Sequence, residues 1–245
     1  MARYQVNIAY DGSEFSGFQR QGKTRTVQLE IENALKQIGW QGQSILAAGR
    51  TDAGVHASGQ VVAFDLDWNH SEDALQKAIN ANLPEDIVVN AVKVANEFFH
   101  PRYEAIYRCY HYHIYSHPNR DPLRDRYAWR IWPPVSVENL QNSAKELIGT
   151  HDFSAFGLPP KKDGNTIRTV FRAEWDREQD TFIFQIEANA FLFHMIRKIV
   201  FLQVKIAQGF WTIDQLRDGI IHQKDQLPGL AKPNGLILVK VQYQK

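Results

Sequence analysis

The chain has 245 residues, 44% of them apolar and 22% charged, with a formal net charge of +1 and a single cysteine. That length allows one large domain or two of ordinary size with a real core, while no apolar run approaches the roughly 20 residues of a membrane span. Cys109 cannot close an intramolecular disulfide and has no cysteine partner for a zinc site, so its expected role is packing in a reducing compartment. The balance of charge does not by itself announce a nucleic-acid binder. The first residues, Met-Ala-Arg-Tyr-Gln-Val, enter a strand pattern with no signal-peptide core, which predicts a cytoplasmic protein.

Residues 3–10 alternate polar and apolar and read as a strand. Residues 10–21 (Tyr-Asp-Gly-Ser-Glu-Phe-Ser-Gly-Phe-Gln-Arg-Gln) form a loop that lacks the spacing and lysine of a phosphate-binding loop. Its aromatics, with Gln and Arg, suit a surface that touches bases or backbone. Thr26 stands at a helix N-cap, and Val27, Ile31, Ala34, Leu35 and Ile38 recur at helical spacing up to Gly39. Residues 44–48 and 60–66 read as strands on either side of a charged, glycine-framed turn. Ser71 caps a helix to about residue 81, and residues 86–94 form a strand. The order is β-α-β-β-α-β, the ferredoxin-like arrangement.

A linker at residues 96–104 carries the breaker Pro101, and the second half repeats the order with longer insertions. Residues 105–116 are a strand rich in Tyr and His; a polar loop follows, and Ser136 begins a helix with Leu140, Ala144, Leu147 and Ile148 on one face. Residues 166–175 and 181–188 read as paired strands, 193–208 as an apolar helix, 214–221 as a shorter helix and 235–243 as a final strand. The expected fold class is α+β, with two ferredoxin-like halves, residues 1–104 and 105–245, whose mostly antiparallel sheets join around a central cleft where a ligand would bind. Basic residues gather locally in three groups: Arg20, Lys23 and Arg25; Arg120, Arg124, Arg126 and Arg130; and Lys161, Lys162, Arg168 and Arg172.

Three stretches could carry chemistry. The first is Gly49-Arg50-Thr51-Asp52-Ala53-Gly54-Val55-His56, which holds one carboxylate at a strand end. Its glycines permit close approach, and Arg50 and His56 place basic or potentially basic groups beside Asp52. The second is Arg197, at helical spacing from Phe193, Ile196 and Val200. An arginine beside a buried stripe either snorkels to the surface or faces an anion, and a facing arginine would keep Asp52 ionised and oriented. The third is Tyr110, in Tyr107-Arg108-Cys109-Tyr110-His111-Tyr112-His113. Strand alternation puts His111 and His113 on one face, yet ligands to complete a metal site are not evident nearby. A tyrosine over an extruded base is the sharper reading of Tyr110, since such stacking is worth roughly 1–3 kcal/mol.

These segments resemble the TruA family of tRNA pseudouridine synthases along nearly the whole chain: Tyr10-Asp11-Gly12-Ser13 through Gln21 with Thr26-Val27-Gln28, the Asp52 loop, Phe99-His100-x-Arg102 with the Tyr110 strand, Gly149-Thr-His-Asp-Phe153-Ser154-Ala-Phe156, Arg168-Thr169, Asn189-Ala-Phe-x-x-His194-Met-x-Arg197, and Gly235-Leu236. The resemblance implies that Asp52 is the catalytic nucleophile, Arg197 its ion-pair partner, Tyr110 the aromatic residue over the target uridine, and Arg50 the residue that helps evict or replace that base. It places Leu236 in the wall of the pocket; His56, beside Asp52, is expected to be a substrate-binding residue. It further implies action on nucleotides 38, 39 and 40 of the tRNA anticodon stem-loop, a homodimer, and no metal or organic cofactor. Two departures concern Ile237, where the family often has Tyr, and His111 and His113, where its strand is commonly richer in arginine.

The chemistry fits one carboxylate. Pseudouridine formation breaks the ribose C1′–N1 bond, turns the base and joins C1′ to C5, whereas glycoside hydrolysis wants two opposed carboxylates. Asp52 would attack C1′ or take the 2′ proton; the sequence leaves both open. Rival readings are a non-catalytic RNA-binding protein, which would be expected to carry a Lys/Arg-Gly-Phe/Tyr-Gly/Ala-Phe strand that neither half has, a hydrolase working through Asp52, and a relative of the same family acting on other uridines.

Overall fold

A computed structural model of the chain describes residues 1–161, 163–221 and 228–244. It is an α+β protein with a mostly antiparallel strand arrangement, and it divides into two compact units: residues 1–106 together with the chain from Ile237 onward, and residues 107–236.

The first unit is built on β1 (Ala2–Tyr10), α1 (Val27–Gln37), β2 (Leu46–Ala47), β3 (His56–Leu66), α2 (Glu72–Asn80) and β4 (Ile87–Val94). The strand order is β4–β1–β3–β2, and every pairing in it is antiparallel. Along β1 the alternation places Tyr4, Val6, Ile8 and Tyr10 in the core, as a half-buried strand requires. β3 is buried along nearly its whole length, the signature of a central strand covered on both faces. The caps are those expected from sequence: the Thr26 side chain accepts from Leu29 N–H, and the Ser71 hydroxyl accepts from Ala74 N–H. Gln76 and Asn80 of α2 bond to the backbone of β4 at Val89, which ties helix to sheet edge.

The final strand, β10 (Leu236–Gln242), belongs by chain order to residues 105–245, yet from Ile237 it lies with the first unit. Ile237 and Leu238 pair in parallel with His56 and Ala57. The physical reason is the length of β2: its two residues pair only with Val62 and Ala63, so the edge of β3 near His56 remains open for another strand.

The second unit carries β5 (Tyr107–Ser116), β6 (Trp129–Ile131), α3 (Val137–Lys145), β7 (Gly149–Asp152), β8 (Ile167–Glu178), β9 (Thr181–Ala188), α4 (Met195–Ala207) and α5 (Ile213–Ile221). Its strands run β6–β5–β9–β8–β7, antiparallel except for β5 with β6. β6 and β7 are additions that the sequence reading left within loops; each is only three or four residues long, too short to carry a period. The core gathers Tyr112, Ile114, Tyr115, Phe153, Phe156 and Phe184, all fully buried. Trp175 stacks on Phe184 with centroids 5.1 Å apart and donates its indole N–H to buried Gln203 of α4 at 3.1 Å. That bond satisfies a polar atom where an unsatisfied one would cost about 1–3 kcal/mol.

Candidate active site

Asp52 sits on a loop held from beneath and from both ends. Upstream, Ala48 N–H donates to Val61 O, and the fully buried Gln60 side chain donates to Gly49 O at 3.0 Å while accepting from Val61 N–H. In the middle, buried Thr51 places its hydroxyl 2.8 Å from the Tyr10 hydroxyl, and its carbonyl accepts the Phe18 N–H. Downstream, Val55 N–H closes a turn on the Asp52 carbonyl at 3.2 Å. Asp52 itself is half-exposed at the centre of this braced loop. Arg50, two residues earlier, is exposed.

The segment 10–21 underlies this loop, and here the structure corrects the sequence reading. Phe15 and Phe18 are buried, so they form core beneath the loop instead of a base-touching surface. Gly12 passes so close to Val55 that an added Cβ would stand 2.0 Å from its carbonyl oxygen. His56, which is 4% exposed, accepts the Gly12 N–H through Nδ1 at 3.0 Å. Asp11 Oδ1 lies 3.2 Å from the same nitrogen. Asp11 also accepts the Ser13 N–H and hydroxyl. Sequence inspection passed over Gln60 and Tyr10 as parts of the site. Gln60 had a detectable signal, a polar residue opening the apolar run Val-Val-Ala-Phe.

Thr51→Val keeps the shape and removes the hydroxyl that meets Tyr10. The expected result is a loss of about 0.5–1.5 kcal/mol in stability, read from urea unfolding.

In the second unit, Tyr110 of β5 is 7% exposed and meets Phe191 edge-on at 5.1 Å. The turn that carries Phe191 is itself pinned. Asn189 accepts from Thr169 and Ala190 N–H through its side chain, and from Arg108 through its backbone carbonyl at 2.7 Å. Phe193 then exchanges two backbone bonds with Leu158. Arg197 lies in the first turn of α4, a helix with no side-chain N-cap and no acidic residue in that turn. Its Nε donates to Ala231 O at 2.8 Å, and Ala231 N–H returns a bond to the Arg197 carbonyl. Leu236 is buried at the start of β10. Asp52, Arg50 and His56 thus belong to the first unit, and Tyr110, Arg197 and Leu236 to the second.

Most arginines of the three basic groups serve the fold. Arg20 reaches buried Glu32 at 2.6 Å, Arg25 binds Asp86 through two nitrogens, Arg124 does the same to Asp180, and Arg172 pairs with Glu174. Arg168 is buried and donates to the carbonyls of Asn165 and Ile167; Arg130 donates to those of His117 and Pro118. Lys23 and Lys161 are exposed, as is the Arg120 side chain. Lys162 lies outside the described residues. Among the described residues no group of three or more His, Cys, Asp or Glu could hold a metal ion, and no helix is long and apolar enough to cross a membrane.

Comparison with known proteins gives the family of the chain. A family model described as tRNA pseudouridine synthase matches residues 7–104 and 143–244. Three relatives named "tRNA pseudouridine synthase A" align end to end. That of Streptococcus equi subsp. equi is 37% identical over 249 residues, covering 100% of both chains. That of Fervidobacterium nodosum is 37% identical, covering 99% of this chain and 100% of its own. That of Streptococcus pneumoniae (strain Hungary19A-6) is 38% identical, with 100% of both covered. A chain of a solved Cbf5-Nop10-Gar1 complex overlaps 82% of this chain and 54% of its own at 12% identity and a TM-score of 0.34, too loose a likeness to bear on function. The chain belongs to the tRNA pseudouridine synthase family. It is an isomerase that forms pseudouridine in tRNA.

Proposed function

We propose that this enzyme isomerises uridines 38, 39 and 40 of the tRNA anticodon stem-loop, with Asp52 as its nucleophile. The observation that carries the reading is the loop braced at both ends and in the middle, which holds the half-exposed Asp52 at a fixed place. In the proposed sequence the Asp52 carboxylate attacks ribose C1′ as the C1′–N1 bond breaks. The uracil anion, its charge spread over two carbonyl oxygens, turns while held; C5 then joins C1′ and expels Asp52. The C5 proton leaves, and N1 regains one. Water must be kept out so that re-addition wins over hydrolysis.

Arg197 is assigned as the partner that keeps Asp52 ionised. Its place supports this: a cation in the first turn of a helix opposes the helix dipole by about 0.3–1 kcal/mol, a cost that a facing carboxylate offsets. Tyr110 is assigned to stack on the target base, Leu236 to the pocket wall, and Arg50 to fill the space that the flipped base vacates, at an unstacking cost of a few kcal/mol. His56, buried and committed to Gly12, is assigned as a brace under the loop rather than as a substrate contact. A cytoplasmic homodimer is part of the same proposal.

The test uses tRNA transcripts carrying uridine only at 38, 39 or 40, or only elsewhere in the anticodon arm, with pseudouridine mapped after reaction. Modification confined to the second set would assign the enzyme to other uridines. A primary kinetic isotope effect from deuterium at ribose C2′ would move Asp52 from attack on C1′ to removal of the 2′ proton. Light scattering gives the oligomeric state directly. Because so many arginines are bound within the fold, few remain for phosphate. Raising salt from 50 to 200 mM is therefore expected to weaken tRNA binding only about 10- to 100-fold, measured by filter binding.

A further inference from the structure

The segment that leads from α5 into β10 is tied down at three points, all within the second unit. Ala231 is fully buried, and its carbonyl accepts the Arg197 Nε at 2.8 Å while its N–H donates to the Arg197 carbonyl. The next residue, Lys232, gives its carbonyl to the Tyr112 hydroxyl at 2.6 Å. Tyr112 is fully buried, with its ring edge-on to Trp129. Two residues on, the Asn234 side-chain amide donates to the carbonyls of Asp125 and Ala128, in the turn before β6. Gly235 then runs against Tyr112 and β5 so tightly that a Cβ would stand 2.6 Å from the His113 carbonyl and 2.8 Å from the Tyr112 ring. Leu236 follows at once.

We propose that Tyr112 and Asn234 are positioning residues for the reaction: they fix residues 231–236 as a clasp that sets the plane of the Arg197 guanidinium at one end and the place of Leu236 at the other. This rests on the reading of Arg197 and Leu236 given above. A guanidinium is planar, so a carbonyl held at Nε decides which way the terminal nitrogens point. The carbonyl of Ala231 can do that only if its chain does not move, and the bonds from Tyr112 and Asn234 stop it. Burial pushes the Tyr112 phenol well above the ordinary tyrosine value, so it remains a neutral donor at any working pH. Tyr112 thus stands two residues from Tyr110 on the same strand and serves a different part of the site.

The experiment measures kcat and KM on tRNA for Tyr112→Phe, which keeps the ring and removes only the hydroxyl, in wild-type and Arg197→Lys backgrounds. Tyr112→Phe is expected to lower kcat on the order of tenfold, since small misplacements at a reacting centre have effects of that size or more, with KM within about twofold. In the Arg197→Lys background the same change should cost less than about twofold, because residues that act through one another are not additive. Asn234→Asp, which turns the amide donor toward two carbonyls into an acceptor, should reproduce the kcat loss and its dependence on Arg197 from the other end of the clasp. Equal losses in both backgrounds would assign Tyr112 a merely structural role and overturn the inference. So would wild-type kcat in Tyr112→Phe beside a crippled Arg197→Lys. Wild-type kcat in Arg197→Lys itself would remove the site reading and the inference with it.

Discussion

Asp52→Asn is expected to reduce pseudouridine formation to background, a fall of roughly 10⁴-fold or more in kcat/KM, as when other enzymes lose their nucleophile. The measurement is tritium release from tRNA labelled at uridine C5, without added metal. Asparagine nearly matches the shape of aspartate, and the loop is built from the Thr51 hydroxyl, the Gln60 amide and backbone groups at residues 48, 49, 51, 52 and 55. The variant should therefore keep the wild-type melting temperature and bind tRNA within a few-fold of wild type. That combination separates loss of chemistry from loss of structure. Tritium release above about one-hundredth of the wild-type rate would mean that the carboxylate is not the nucleophile, and that a different group does the chemistry.

Gly12→Ala should be the most damaging small change in the first unit. Its Cβ would meet backbone on the other side, at 2.0 Å from the Val55 oxygen, 2.5 Å from its carbonyl carbon and 3.0 Å from its nitrogen. No rotamer can relieve such a clash; two chain segments must separate. Overpacking of this kind costs about 1–3 kcal/mol, occasionally more, and the movement also pulls the Gly12 N–H from His56. Because Val55 closes the turn that carries Asp52, displacement there should lower kcat by about 100-fold in the fraction that stays folded. Urea unfolding and tritium release on the same preparation give both numbers. An unchanged urea midpoint with unchanged kcat would show that the segment 10–21 does not support the Asp52 loop.

Much of this was legible in the chain, for a local reason. Thr26, Ser71 and Ser136 each accept from the N–H three residues ahead, a contact that involves only neighbours, so the helix starts could be placed from sequence. The alternation of Tyr4, Val6, Ile8 and Tyr10, and the span 181–188 of β9, were equally plain, because a strand with one covered face writes a period of two into its residues. The carboxylate, arginine and tyrosine of the site stood out as motif words.

What the tertiary structure decided was non-local. Sequence order assigned the last strand to the second half, but pairing depends on which edge is open, and the shortness of β2 leaves the His56 end of β3 available to Ile237 and Leu238. Phe15 and Phe18 read as surface aromatics until the fold buried them. Arg20, Arg25, Arg124 and Arg172 read as candidates for phosphate, and their charge is met by Glu32, Asp86, Asp180 and Glu174, residues 2 to 61 positions away. Composition counts such charges but does not pair them. The amino-acid sequence by itself determined most of the elements, their order and the residues proposed for the site. Only the packed chain decided which polar groups are spent on holding that site still, because a hydrogen bond between Tyr10 and Thr51, or between Tyr112 and Lys232, exists only after distant segments have met.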